Sequence, residues 1–196
     1  MWGRFLLNTA ALLLHSGPMR LLLFRHAKSA RPPSVDDFDR PLCERGKYAA
    51  PLIGAWLREH GMRPELVLCS PACRAKETLG LIVGFMNPCP EIHYDPALYL
   101  AAAPVLLTRI RAAAAVSPLM LVGHNPGLQD LGMELLARRQ TGAAKKRMNE
   151  LSRKFPTAGL AVLDFKCHDW KNLQSATGNL VDFVVPKSLM EIDGDT

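Results

Sequence analysis

The sequence predicts a three-layer α/β/α sandwich with a mostly parallel central sheet, and three observations carry that prediction. Short continuous apolar runs recur at 20–24, 65–69 and 118–122, with later ones at 159–165 and 181–185 and a weaker one from Glu91 to Tyr94. Helical periodicity fills 43–60, 71–86, 104–115 and 126–138 between them. The runs are continuous instead of alternating, as in strands covered on both faces, and regular alternation of strand and helix builds a parallel sheet. Pro51 falls inside the first helical segment and is expected to kink or divide it.

The chain has 196 residues, 48% hydrophobic and 21% charged, which suits one domain with its own core and excludes general disorder. No apolar run reaches the roughly 18 residues of a membrane span. The first 18 residues differ from the rest. Met1 to Arg4 is basic, Phe5 to Leu14 mostly apolar, and His15-Ser16-Gly17-Pro18 breaks any helix, without a clear secretory cleavage site. Residues 1–18 therefore read as an extension or a misassigned start, and 19–196 as a single domain. Five cysteines without a C-x-x-C pair make no disulfide framework, so a reducing, cytoplasmic setting is expected.

The net charge of +6 is concentrated. Between Arg138 and Lys154 stand seven bases against one acid, Glu150, which accounts for the whole excess. Only Phe155 adjoins this run, so the interleaved aromatics of a nucleic-acid surface are missing and no nucleic-acid partner is expected. A solvated helix or a mobile loop is the plain reading, and docking of an acidic partner the other.

Ligands of such sheets bind outside the carboxyl ends of the strands, so the residues after each run matter most. They are Arg25-His26-Ala27-Lys28-Ser29, then Ser70-Pro71-Ala72-Cys73-Arg74, then Gly123-His124-Asn125-Pro126-Gly127. Ser70-Pro71 and Asn125-Pro126 each read as a helix cap followed by proline at the first helical position, which would turn a helix N-terminus toward an anion. Arg74 would then lie one turn into its helix. Its guanidinium fork fits two phosphoryl oxygens. Three strand ends that each deliver arginine or histidine point to one phosphate.

These residues resemble the histidine phosphatase superfamily, also called phosphoglycerate mutase-like, and within it the SixA-type phosphohistidine phosphatases. The likeness extends through Arg40-Pro41-Leu42-Cys43-Glu44-Arg45-Gly46, Ala75-Lys76-Glu77-Thr78 and Phe155-Pro156-Thr157-Ala158-Gly159, and spans Met19 to about Leu189. The resemblance implies His26 as nucleophile through a covalent phosphohistidine, with Arg25, Arg74 and His124 clamping the phosphoryl oxygens. Nearby arginines and burial would keep His26 neutral, and a backbone carbonyl on its second nitrogen would fix the tautomer. Ser29 and Asn125 are further candidates for phosphate binding. Lys28 and Arg40 could line the entrance or be solvated charges, and Asp36, Asp37 and Asp39 read as a solvated acidic patch.

Two departures from the wider superfamily bear on the substrate. Pro32 stands where many relatives carry asparagine, and the stretch between Glu77 and Gly123 holds only Glu91 and Asp95 as carboxylates, so no proton donor is assigned. An alkoxide leaving group needs such a donor, whereas an imidazole departs more readily. A phosphorylated protein carrying phosphohistidine is the expected substrate. A small phosphoester hydrolysed by the same mechanism, or a phosphate-binding scaffold without turnover, are the alternatives. No cofactor or metal is expected, because neither H-x-x-x-H nor clustered cysteines occur. Cysteine-dependent phosphatase chemistry needs C-x₅-R, and Cys69 is one residue too close to Arg74.

Overall fold

The computed structural model describes residues 17–190. Its centre is β1, Met19–Arg25. Leu21 and Leu23 face one core and Leu22 and Phe24 the other, and all four are fully buried. A strand with no solvent face has to be apolar at every position, which is why this run does not alternate. The remaining strands are β2 (Leu66–Cys69), β3 (Glu91–Tyr94), β4 (Leu119–Gly123), β5 (Leu160–Phe165) and β6 (Asn179–Val184). Their order is β3-β2-β4-β1-β5-β6, parallel from β3 through β1. β5 runs antiparallel to both of its neighbours. The fold is thus the expected α/β architecture on a mostly parallel sheet.

The helices are α1 (Glu44–Glu59), α2 (Cys73–Val83), α3 (Ala103–Arg111), α4 (Gly127–Leu135), α5 (Gly142–Arg153) and α6 (Pro186–Met190). Ile53 and Leu57 of α1 and Leu79 and Ile82 of α2 cover one face of the sheet. Leu106 and Ile110 of α3, Leu128 and Leu131 of α4 and Leu151 of α5 cover the other. The basic 138–154 segment is therefore mostly helix. Leu151 is its buried foot, while Lys145 and Lys146 face solvent and Arg147 pairs with Asp182 at 2.9 Å. The extension expected over 1–18 lies, apart from Gly17 and Pro18, outside the described residues.

Three local expectations are corrected. α1 is not divided at Pro51, because the missing N–H removes one bond while Ala50, Ile53 and Leu57 hold the helix onto the sheet from both sides of the proline. Neither Ser70 nor Asn125 caps a helix: α2 begins at Cys73 and α4 at Gly127, without a side-chain cap. Both side chains bond inward, Ser70 Oγ to His124 Nε2 at 2.7 Å and the Asn125 amide to the Phe155 carbonyl at 3.2 Å. Arg74 is accordingly the second residue of α2, not one turn in.

Gly46 explains the glycine of the Arg40–Gly46 stretch. A Cβ there would stand 2.1 Å from the carbonyl oxygen of Lys28, in the loop that follows β1. The same oxygen accepts from Cys43 N at 3.0 Å, so α1 begins pressed against the backbone beside His26. Overpacking of this kind costs about 1–3 kcal/mol. Gly46→Ala is expected to lower the unfolding free energy by that amount and the urea midpoint with it, and an unchanged midpoint would show that the contact is not tight.

Candidate active site

β2, β4 and β1 are neighbours and parallel, so their carboxyl ends open side by side. β1 leads into Arg25 and His26, β4 into His124, and β2 into Ser70 and Arg74. Because β5 is antiparallel, its amino end lies at the same edge and brings Phe155 to Gly159 there. Backbone bonds stitch these ends together: His26 N to Gly123 O at 3.1 Å, Ser70 N to Val122 O at 2.9 Å, Arg25 N to Gly159 O at 3.0 Å. Gly159 is required by the tight turn, since a Cβ would meet the Phe155 ring and the Pro156 carbonyl oxygen at 2.9 Å. Arg25, His26, Ser29, Arg74, His124 and Asn125 all line one hollow of about 270 Å³ at this edge.

His26 is 7% exposed, Arg74 3% and His124 2%. His26 Nδ1 lies 2.7 Å from the carbonyl oxygen of Ala27, its own neighbour. A carbonyl only accepts, so Nδ1 carries the hydrogen. Nε2 then presents its lone pair, and it accepts from Arg74 Nε at 3.3 Å. Burial foremost, with the positive charges of His124, Arg74 and Arg25 adding to it, pushes the imidazole pKa down to about 3 against the Ala27 bond. His26 is neutral at physiological pH, with a fixed tautomer. His124 stands 5.0 Å away ring to ring, and burial and then Arg74 bring it down to about 4. Its Nε2 bonds Ser70 Oγ, while Nδ1 is buried without a partner. Arg25 anchors Nη1 on the Phe155 carbonyl at 2.6 Å and leaves Nε buried and unpartnered.

The acidic patch does not behave as solvated charge throughout. The Asp37 carboxylate takes Arg74 Nη2 at 2.9 Å, Arg40 Nη1 at 2.6 Å and the Tyr99 hydroxyl at 2.8 Å, and its backbone carbonyl accepts from Arg74 Nη1. The Tyr99 bond first, then Arg40 and Arg74, holds its pKa down at about 2. Arg40 in turn reaches Ser29 Oγ at 2.7 Å and Ala30 O at 2.8 Å, so it is structural as well as near the entrance. Lys28 is exposed on the rim.

Sequence reasoning missed Tyr99, which follows β3 and sets its ring edge-on to His124 at 5.5 Å and under the Arg74 guanidinium at 5.8 Å. It also assigned no task to Thr78, which donates to Arg74 O at 2.6 Å and accepts from Ala27 N at 2.9 Å, tying α2 to the His26 loop. The Thr78 signal was present, one helical turn after Arg74; Tyr99 follows no glycine, proline or charge pattern. Glu91 and Asp95 stay outside the hollow, paired with His93 at 2.6 Å and Arg109 at 3.0 Å. Cys69 is buried, which pushes its thiol up to about 12, so it presents no thiolate.

The sequence model of the histidine phosphatase superfamily (branch 1) matches residues 21–99, from β1 through Tyr99. An uncharacterized protein of Mycobacterium tuberculosis is 40% identical over 164 residues, covering 83% of this chain and 99% of its own length. Two solved structures assigned as phosphohistidine phosphatases of the SixA type superpose closely. That from Nakamurella multipartitia is 31% identical, covers 87% of this chain and 98% of its own, and has a TM-score of 0.76. That from Agrobacterium tumefaciens is 34% identical, covers 87% and 100%, and has a TM-score of 0.70. The chain belongs to the histidine phosphatase superfamily and is a phosphatase of that family.

Proposed function

We propose that the protein hydrolyses phosphohistidine on a protein substrate through a covalent intermediate at His26, with Arg25, Arg74 and His124 clamping the phosphoryl oxygens. The observation that carries this reading is the neutral, tautomer-fixed His26 whose Nε2 lone pair opens into a pocket of cations. In the first step Nε2 forms a bond to phosphorus as the bond from phosphorus to the substrate imidazole breaks, and that imidazole, protonated by solvent on its other ring nitrogen, keeps the electron pair and departs neutral. In the second, water attacks the phosphoryl group in line, inorganic phosphate leaves and Nε2 regains its lone pair. Phosphoryl transfer is governed by positioning and charge; Arg25 and Arg74 supply both, and His124, neutral at physiological pH, supplies positioning. The buried, unpartnered Arg25 Nε and His124 Nδ1 gain partners when oxygens arrive, which relieves a cost of about 1–3 kcal/mol each. Ser29, whose hydroxyl accepts from Arg40, keeps a proton to donate; the Asn125 amide is spent on Phe155 and Gln129 and acts by holding the 155–159 turn.

The leaving group follows from Asp37, the one carboxylate lining the hollow among the described residues. It is held ionised and engaged with Arg74 and Arg40, so it has no proton to give to an alkoxide. A departing imidazole draws its proton from solvent, on the other ring nitrogen, which titrates near neutrality, and so needs none from the protein. The five free cysteines suit a reducing, cytoplasmic setting.

Phosphate release from a phosphohistidine protein and from an aryl phosphate, with wild type and His26→Ala in parallel, tests the reading. Release is expected to favour phosphohistidine and vanish in the variant, with a phosphoryl group recovered on His26 after an alkaline quench. Faster turnover of the aryl ester by orders of magnitude would overturn the substrate. Persistence of release in His26→Ala would overturn the nucleophile.

Asp37→Asn keeps the size of the side chain and removes the charge that orients Arg74. Misplacement of a clamp by an ångström costs up to about a hundredfold in rate. The expected outcome is a kcat lowered at least tenfold in a protein that still unfolds in one cooperative transition, and an unaltered kcat would assign Asp37 no positioning role.

Acid should cost stability. Unfolded, both imidazoles titrate near 6.5, whereas folded they titrate at about 3 and 4. Between those limits the unfolded chain binds protons that the folded chain refuses, so stability falls as pH falls, by up to about 1.4 kcal/mol per pH unit for each histidine. Asp37, likewise depressed on folding, acts in the same direction but loses its contribution only below about 3.8, under the pH 5 at which the loss is read. Urea unfolding at about pH 7 and pH 5 should show the loss in wild type and a shallower loss in His26→Ala; equal slopes would contradict a buried neutral His26.

A further inference from the structure

A second and larger hollow, about 570 Å³, adjoins the phosphoryl site and shares Arg25, Lys28 and Thr157 with it. Arg45 of α1, Lys154 at the end of α5 and Lys187 of α6 complete its cationic wall, and no carboxylate among the described residues lines it. Val185, Pro186 and Met190 supply an apolar floor. Several bases elsewhere on the surface are matched by acids, as in Lys47 with Glu44, Arg109 with Asp95, Arg147 with Asp182 and Lys171 with Asp169, while others such as Lys145 and Lys146 of α5 stand in solvent. Lys28, Arg45 and Lys154 are exposed and make no ion pair among the described residues. Four separate parts of the chain thus converge like charges on one concavity, against mutual repulsion, beside the atom that would be phosphorylated.

We propose that this hollow is a substrate subsite that receives acidic side chains flanking the phosphohistidine of the protein substrate. The inference rests on the phosphohistidine reading and adds a sequence preference to it. A small phosphoryl compound fills the 270 Å³ hollow and has nothing to place in the larger one. A polypeptide carrying its phosphoryl group to His26 necessarily lays its flanks over the rim, where Lys28 and Arg25 join the two spaces. Carboxylates on short stems meet the cations there, and their methylene groups meet the floor. Exposed pairs of this type are individually weak and salt-sensitive, so several together give a preference and not an absolute requirement.

Two peptides of identical length, each phosphorylated on a single histidine and differing only in Asp/Glu or Asn/Gln flanks, provide the test. At low ionic strength wild type should favour the acidic peptide about fivefold to tenfold in kcat/KM, through KM, and added salt should shrink the ratio. Arg45→Glu in α1 and Lys154→Glu at the end of α5 should each bring the ratio to unity or below. Equal kcat/KM on the two peptides in wild type, or a preference that survives both substitutions, would overturn the subsite. If wild type hydrolyses neither peptide, the phosphohistidine reading itself fails. The subsite is then judged by fluorescence anisotropy of the same two peptides unphosphorylated: tighter binding of the acidic one, lost in both variants, sustains it, and equal binding overturns it.

Discussion

The hydrogen bond from His26 Nδ1 to the carbonyl oxygen of Ala27 is the constraint on which the site depends. Left alone among Arg25, Arg74 and His124, an imidazole has two neutral tautomers, and only one of them aims a lone pair from Nε2. A bond to the adjacent residue's own carbonyl selects that tautomer without calling on any distant element. It also demands a particular course for the backbone after β1, and much of the surrounding structure holds that course. Thr78 Oγ1 receives Ala27 N, Cys43 N grips Lys28 O, and Gly46 packs where no side chain would fit. The stretch from Arg40 to Gly46 is thus less a separate motif than the outer brace of the first one.

A site built from cations must also keep them apart while no phosphate is bound, and here the protein uses its own anion. Asp37 sits between Arg40 and Arg74, fixed from a third side by Tyr99. Its carboxylate offsets the repulsion that Arg74 would otherwise exert on Arg25, whose own pKa is lowered chiefly by burial and then by Arg74. The arrangement holds Arg74 by its two terminal nitrogens and leaves Nε directed at His26. In the proposed reaction an incoming phosphoryl group competes with Asp37 for the guanidinium, so the same residue sets both the orientation and the readiness of the clamp.

Much of this was legible in the sequence, because the decisive signals are local. Buried strands declare themselves as unbroken apolar runs, and the residues following three of them are those that line the hollow. The weakest run, 91–94, is the edge strand β3, where Glu91, His93 and Tyr94 are exposed and the pattern has least reason to be apolar. What sequence could not disclose is which partner each polar side chain chooses. Ser70 and Asn125 look like caps because Ser-Pro and Asn-Pro usually are, yet tertiary partners outbid the helix ends for both. Asp37 and Asp39 are indistinguishable on paper, and only the approach of α2 and of the loop after β3 makes the first an anchor. Tyr99 is drawn to the site by a loop whose course no local pattern encodes.

β5 alone runs antiparallel to the other strands of the sheet. Were β5 parallel, its amino end and the turn before it would lie at the far edge of the sheet. Reversed, it sets the Phe155 carbonyl beside Arg25 and the Asn125 amide, and lets Ala158 N bond both Arg25 O and His26 O at 3.1 Å. The turn enters between the two hollows through Thr157, which lines both. One reversal of strand direction therefore supplies the brace for an arginine of the phosphoryl site and the border along which a longer substrate would cross. Among the described residues no inserted segment covers the clamp, so the same topology that finishes it leaves it open to the protein-borne phosphoryl group of the proposed reaction.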